Sequence, residues 1–319
     1  MVIIAVLFGV ILLVLAGSIA FGGPTPPATM ASINDPFKSV DFSLLPSTKS
    51  FQAQDGERLA YRDYAPPGAP RGSVTLVHGS SASSHSMHPL ATALAAAGYR
   101  VFALDMRGHG ESGVKGRIHH IGQLESDLAA FVRTVRPPSP STLAGFSSGG
   151  GFALRFAGSE HQSLFGSYLL LSPFIGENAA NQRPGSGGWV DVGVPRIIGL
   201  AVLNLVGIRA FNALPVLSFA LNEQARTFLT PEYDFNLAMN FRPQRDYAAN
   251  IRSVSRPCVV VAGTADEAFH TDKLEEIFRA SGKAWDVELV PAVGHIPLTL
   301  EPAALAATVR RLGMLQQVR

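Results

Sequence analysis

The strongest constraint on this sequence is an alternation of short apolar runs with longer helical patterns. Val74–Val77, Arg100–Leu104, Leu143–Phe146, Tyr168–Leu171, Cys258–Ala262 and Trp285–Val290 have the length and composition of buried strands. Between them lie helical patterns: the Ala/Leu-rich Pro89–Ala97, then Ile121, Leu124, Leu128, Phe131 and Val135 on one helix face, then Asp272–Ala280 and Glu301–Leu312. Strands alternating with helices predict an α/β chain with a mainly parallel sheet covered on both faces. Ahead of them, Phe51–Gln54 and Arg58–Tyr64 flank Asp55-Gly56, a dipeptide suited to a tight hairpin turn. From Ser172 to about Ser255 the alternation stops, and helix-like stretches follow with no obvious buried strand. This segment is expected to be a helical cap insertion, at about residues 174–255, on the C-terminal side of the sheet.

The N-terminus has a different character. Val2–Gly22 holds no charged residue and is dominated by Val, Ile, Leu, Phe and Ala, enough apolar length to cross a bilayer as a helix. Ser18-Ile19-Ala20 offers the small residues of a cleaved signal peptide, which is the competing reading. The apolar run is long for a signal peptide and no basic residue precedes it, so residues 1–22 are read as a membrane anchor. Lys38 is the first basic side chain, flanked by Asp35 and Asp41, which gives no charge bias to orient the helix. Residues 23–50 are rich in Pro, Ser and Thr and read as a linker, leaving residues 51–319 as the folded domain.

The chemistry-bearing motif is Gly145-Phe146-Ser147-Ser148-Gly149, a G-x-S-x-G pattern between an apolar strand and a helix. Such a turn lifts its middle serine above the sheet, and its glycines are needed where neighbouring backbones come too close for a Cβ. His78-Gly79-Ser80 ends the strand Val74–Val77, where a second turn can supply a backbone N–H. Acyl transfer needs such donors for the negative oxygen of its tetrahedral intermediate, and the N–H groups of Ser80 and Ser148 are the candidates. An acid and then a histidine are expected later in the chain. Asp266 follows the strand Cys258–Ala262, and His295 follows the strand Trp285–Val290, so both can stand above the same sheet edge as Ser147. Glu267, beside Asp266, is the alternative acid.

Other classes find less support. A net charge of +2 without a dense basic run gives no footprint for a nucleic-acid partner. Cys258, the one cysteine, lies inside an apolar strand and reads as a buried structural thiol. His85, His88 and His109 fall in loops and His119 and His120 at a helix entrance, none at zinc-ligand spacing, so no catalytic metal is expected. A carboxylate nucleophile, as in a dehalogenase or epoxide hydrolase, is excluded by Ser147 at the elbow.

Taken with Asp105-Met106-Arg107-Gly108-His109-Gly110-Glu111-Ser112 and Gly294-His295, these motifs resemble the α/β-hydrolase superfamily. Within it they resemble the monoacylglycerol lipase, lysophospholipase and serine-aminopeptidase branch. The resemblance covers roughly residues 51 to 315, apart from most of the cap. It implies the α/β-hydrolase fold and a cofactor-free enzyme cleaving esters, thioesters or amides, with Ser147 as nucleophile, His295 as base and Asp266 as its orienting acid. Ser148 stands where relatives often carry Met or Gln. Ile197–Leu221 is largely apolar, and Arg209 and Pro215 argue against a second membrane span there. It is expected to form the cap core, an acyl-chain tunnel or a surface resting on lipid, which points to a lipid-like ester such as a monoacylglycerol or lysophospholipid. Amide cleavage, acyl transfer to another alcohol, or an inactive membrane-anchored binding module are the alternatives.

Overall fold

A computed structural model of the protein describes residues 2–30 and 35–317. Residues 1, 31–34 and 318–319, parts of the expected anchor, linker and domain, lie outside the described residues. The first helix, α1 (Val2–Phe21), is followed by the hairpin β1 (Lys49–Gln52) and β2 (Arg58–Tyr64), with Gly56 left-handed at φ 84° in the turn between them. The alternation then runs β3 (Ser73–Val77), α2 (His88–Ala96), β4 (Arg100–Leu104), α3 (Gln123–Val135), β5 (Ser141–Phe146), α4 (Ser148–Ala157) and β6 (Ser167–Leu171). After the insertion it resumes with β10 (Cys258–Gly263), α9 (Leu274–Ala280), β11 (Asp286–Val290) and α10 (Pro302–Leu315).

These strands form one eight-stranded sheet in the order β1-β2-β4-β3-β5-β6-β10-β11. The β1–β2 and β2–β4 pairs are antiparallel and every other pair is parallel. Parallel strands need crossover helices, which cover both faces of the sheet. Leu124, Phe131, Phe152 and Phe278 pack beneath one face, and Leu90, Leu94, Ala304 and Leu312 beneath the other. Burial on both faces explains why β3, β5, β6 and β10 read as continuous apolar runs. Ile121 departs from its expected helix face: it lies ahead of α3 and is exposed, because Gly122, left-handed at φ 98°, starts the helix after it.

The insertion holds β7 (Val190–Val192), α5 (Val194–Leu205), β8 (Pro215–Phe219), α6 (Glu223–Phe228), β9 (Glu232–Asp234), α7 (Phe235–Asn240) and α8 (Tyr247–Ser253). It is not purely helical, since β7, β8 and β9 pair as an antiparallel three-stranded sheet. Strands this short have no alternation long enough to read locally, and only their pairing defines them. Strand β9 rests on the main domain: Asp234 N–H donates to Gly116 O, and Thr230 Oγ1 donates to Gly108 O at 3.1 Å.

Helix α1 is uncharged, with a mean hydropathy of 3.0, and is long and apolar enough to cross a membrane. Its C-terminal end docks on α5 of the cap. The Arg196 guanidinium donates to Ile19 O at 2.8 Å, to Ala20 O at 3.0 Å and to Pro215 O at 2.7 Å. A cation at a helix C-terminus satisfies orphan carbonyls and complements the macrodipole. Gly199 allows the close approach, because a Cβ there would meet Ile19 and Ser18.

Candidate active site

Strand β5 ends in the G-x-S-x-G turn and α4 begins at Ser148. Ser147 sits between them at φ 56° and ψ −121°, a conformation that costs a side-chain-bearing residue about 1–3 kcal/mol. The surrounding backbone holds it there: Ser147 N–H donates to Leu171 O, and Ser147 O accepts from Gly151 and Phe174 N–H groups. A Cβ on Gly145 would strike the Gly149 carbonyl, and one on Gly149 would strike the carbonyls of His78 and Val77. Both glycines are therefore steric requirements of the turn.

The sequence candidates converge here. His295 Nε2 lies 3.0 Å from Ser147 Oγ, and His295 Nδ1 lies 2.8 Å from Asp266 Oδ2. Ser147, His295 and Asp266 are all buried. The other Asp266 oxygen accepts the N–H groups of Ala268 and Phe269 at 2.8 and 2.9 Å, which fixes the carboxylate. Burial alone raises this carboxyl, but the charge and hydrogen bond of His295, with the Phe269 N–H, hold it below its ordinary value. Phe146 and Phe269 pack against the imidazole, with ring centroids 4.8 and 5.2 Å away. The alternative acid, Glu267, accepts the main-chain N–H of His295 rather than its ring.

Ser80 and Ser148 also meet, with their hydroxyl oxygens 2.6 Å apart. The Ser148 N–H is at the first position of α4, where no preceding helical carbonyl can take it and the helix dipole favours an anion. The turn at Ser80 is fixed from behind by His78, whose Nδ1–H donates to Gly79 O at 2.8 Å while Nε2 accepts from Met106 N–H at 3.2 Å. Burial keeps this ring neutral by lowering its pKa. Asp105 accepts from Ser84 N–H and Glu111 N–H, so the Asp105–Ser112 loop buttresses the site. Among the described residues no group of three or more His, Cys, Asp or Glu side chains could hold a metal ion.

Ser147 opens into a cavity of about 1200 Å³ whose walls are mainly apolar. The cap contributes Ile197, Ile198, Val202 and Leu217, so part of the apolar Ile197–Leu221 stretch faces this cavity. The 23–50 segment is more than a spacer, because Met30, Phe37 and Phe42 line the same cavity. Phe42 is held there by stacking on His85 at 4.0 Å between centroids. His109, read as an ordinary loop residue, is fully buried beside His78 and Tyr233.

Comparison with known proteins agrees with this architecture. Residues 68–215 match the family described as serine aminopeptidase, S33. A monoacylglycerol lipase of Mycolicibacterium smegmatis is 34% identical over 139 residues, 40% of this chain and 47% of that protein. The chain spans less than half the length of the curated relatives it matches. The crystal structure of a soluble variant of the Saccharomyces cerevisiae monoglyceride lipase superposes with a TM-score of 0.63 at 18% identity, covering 85% of this chain and 95% of that one. A bacterial membrane phospholipase A superposes with a TM-score of 0.59 at 19% identity, covering 100% of both chains. At such identities the superpositions speak for the fold alone. Sheet order, elbow and superpositions agree on the α/β-hydrolase fold, and residues 68–215 are similar to the serine aminopeptidase, S33, family.

Proposed function

We propose that the protein is a serine hydrolase that cleaves carboxylic esters of lipid-like alcohols, such as monoacylglycerols or lysophospholipids, through an acyl-enzyme on Ser147. The observation that carries this reading is the hydrogen-bonded series Ser147–His295–Asp266 at the foot of a large apolar cavity. His295 Nε2 takes the Ser147 proton as Oγ bonds to the ester carbonyl carbon. The carbonyl oxygen becomes an oxyanion and accepts the Ser80 and Ser148 N–H groups. As the intermediate collapses, the bond to the alcohol breaks and the proton on Nε2 passes to the leaving oxygen. Water then repeats the sequence on the acyl-enzyme, with His295 as base again. Asp266 holds the tautomer that presents Nε2 to Ser147 and stabilises the imidazolium.

The apolar walls support a long acyl chain as the group bound there, and the similarity to a mycolicibacterial monoacylglycerol lipase agrees with it. Helix α1 serves in this reading as a membrane anchor, with residues 51–319 as the catalytic domain. The test is labelling of the full-length protein with a fluorophosphonate probe, then hydrolysis of p-nitrophenyl esters of increasing chain length. Wild type should label and turn over while Ser147→Ala does neither. A Ser147→Ala protein that kept most of its turnover would overturn the assignment.

A further inference from the structure

Ser81, next to the oxyanion candidate Ser80, commits its backbone and side-chain polar groups to the cap. Its N–H donates to Tyr233 Oη at 2.6 Å, its Oγ donates to Thr230 O at 2.6 Å, and its carbonyl accepts Thr230 N–H at 2.9 Å. Ser81 is buried and left-handed at φ 64°, a conformation that a serine holds only when its surroundings enforce it. The turn after β3 is therefore shaped by a strand that lies about 150 residues further along the chain.

The Tyr233 hydroxyl is itself held. His109 Nδ1 lies 3.3 Å from Arg107 O, which can only accept, so Nδ1 carries the proton. In a neutral ring Nε2 is then the acceptor, and it takes the Tyr233 O–H at 2.6 Å. Burial and the neighbouring His78 keep His109 neutral. The Tyr233 oxygen, with its proton spent on His109, is left free to accept the Ser81 N–H. Phe219 packs edge-on against the tyrosine ring at 4.8 Å between centroids, which fixes its plane.

We infer that Tyr233, a cap residue on β9, is a positioning residue for the oxyanion turn: through Ser81 it sets the direction of the Ser80 N–H, so that the seating of the cap determines transition-state stabilisation. This rests on the acyl-transfer reading above. The Ser80 and Ser81 N–H groups lie on consecutive peptides that share the Ser80 Cα, so a displaced Ser81 peptide shifts that Cα and re-aims the Ser80 N–H. The cap thereby does more than bind the acyl chain.

The decisive variant is Tyr233→Phe, which keeps the ring in the cavity wall and removes the hydroxyl. Direct loss of an oxyanion donor costs about 10²–10³-fold in kcat, and misaiming one through a neighbour should cost roughly tenfold. The experiment uses the full-length protein and a short p-nitrophenyl ester. It compares kcat, KM, affinity for an alkyl boronic acid that mimics the tetrahedral intermediate, and affinity for the matching fatty alcohol, which does not. The inference expects kcat and boronate affinity to fall together while KM and alcohol affinity hold. Ser81→Ala, which cuts the side-chain bond to Thr230 O and leaves the main-chain one, should give a smaller loss with the same split, and it decides the matter if Tyr233→Phe does not fold. Active wild type with unchanged kcat in the folded variants, or with equal losses in boronate and alcohol affinity, overturns the inference alone. Wild type that neither labels with fluorophosphonate nor hydrolyses esters overturns the acyl-transfer reading, and this inference with it.

Discussion

Glu267 accepts the main-chain N–H of His295 at 2.9 Å, while its neighbour Asp266 holds the ring of the same histidine at 2.8 Å. Two adjacent carboxylates thus fix one residue in two ways, one through the backbone and one through the imidazole. Only the second holds the imidazole ring, whose far nitrogen Nε2 reaches Ser147 Oγ.

That division predicts unequal losses. Asp266→Asn keeps the shape but no longer favours the tautomer with its proton on Nδ1, and turnover should fall about 10⁴-fold. Glu267→Gln retains a side-chain oxygen that can accept the His295 N–H, and should stay within a few-fold of wild type. Steady-state kcat on one p-nitrophenyl ester checks both, and equal losses would reassign the acid.

The hydroxyl pair Ser80–Ser148 gives a second expectation. Either alanine substitution leaves the backbone N–H in place but removes the bond between the side chains, a neutral hydrogen bond worth about 0.5–1.5 kcal/mol. Each single variant should lose up to roughly tenfold in kcat. Because they break the same bond, Ser80→Ala with Ser148→Ala should cost little more than either alone. Additive losses in the double-mutant cycle would show that the two hydroxyls act separately.

Stability should carry a pH signature from Asp234, the N-cap of α7. Burial pushes its carboxyl up to about 7, against the Leu237 N–H and nearby Arg117, which favour the charged form. Between its unfolded value near 3.8 and about 7, the folded chain binds more protons at this site than the unfolded chain does. Stability from this group is therefore intact below the unfolded value and declines as pH rises towards 7. Asp234→Asn keeps a capping oxygen for Leu237 N–H and removes the titration. Melting temperatures from pH 4.5 to 7.5 should fall more for wild type than for the variant. Parallel profiles would contradict the assignment.

The cavity predicts a chain-length profile. Each methylene buried is worth about 0.8 kcal/mol, close to fourfold in binding, so kcat/KM should climb from acetyl to longer esters until the space is filled. Phe42→Ala removes an aromatic wall supplied by the segment between α1 and β1. It should depress the longer esters while sparing acetyl. A flat profile in wild type, or an equal loss across the series, would place the acyl chain elsewhere.

What could be read from the sequence follows physical lines. β3, β5, β6 and β10 are buried on both faces, so their local composition announces them, and Gly145 is dictated by the Gly149 carbonyl four residues on, although Gly149 answers to His78 and Val77 at the end of β3. Asp266 and His295 were legible because each follows a recognisable strand. The cap sheet was not, because Val190–Val192 and Glu232–Asp234 are too short to carry a period and gain their identity only from pairing with Pro215–Phe219. The same holds for Ser81, His109 and Tyr233. A serine in a turn, a histidine in a loop and a lone tyrosine carry no local mark of a network that closes across distant segments. Phe37 and Phe42 were hidden by the Pro-, Ser- and Thr-rich composition around them.

The grip of Arg196 on the last carbonyls of α1 has a consequence for how substrate would arrive. A helix joined to its globular part by a loose tether leaves that part to tumble, whereas this joint makes α1 a mast. If the mast stood in a bilayer, the cavity that α5 helps to line would keep one height and one heading relative to the lipid. Capture would become a search in two dimensions, with the surface density of ester, rather than its bulk concentration, setting the rate.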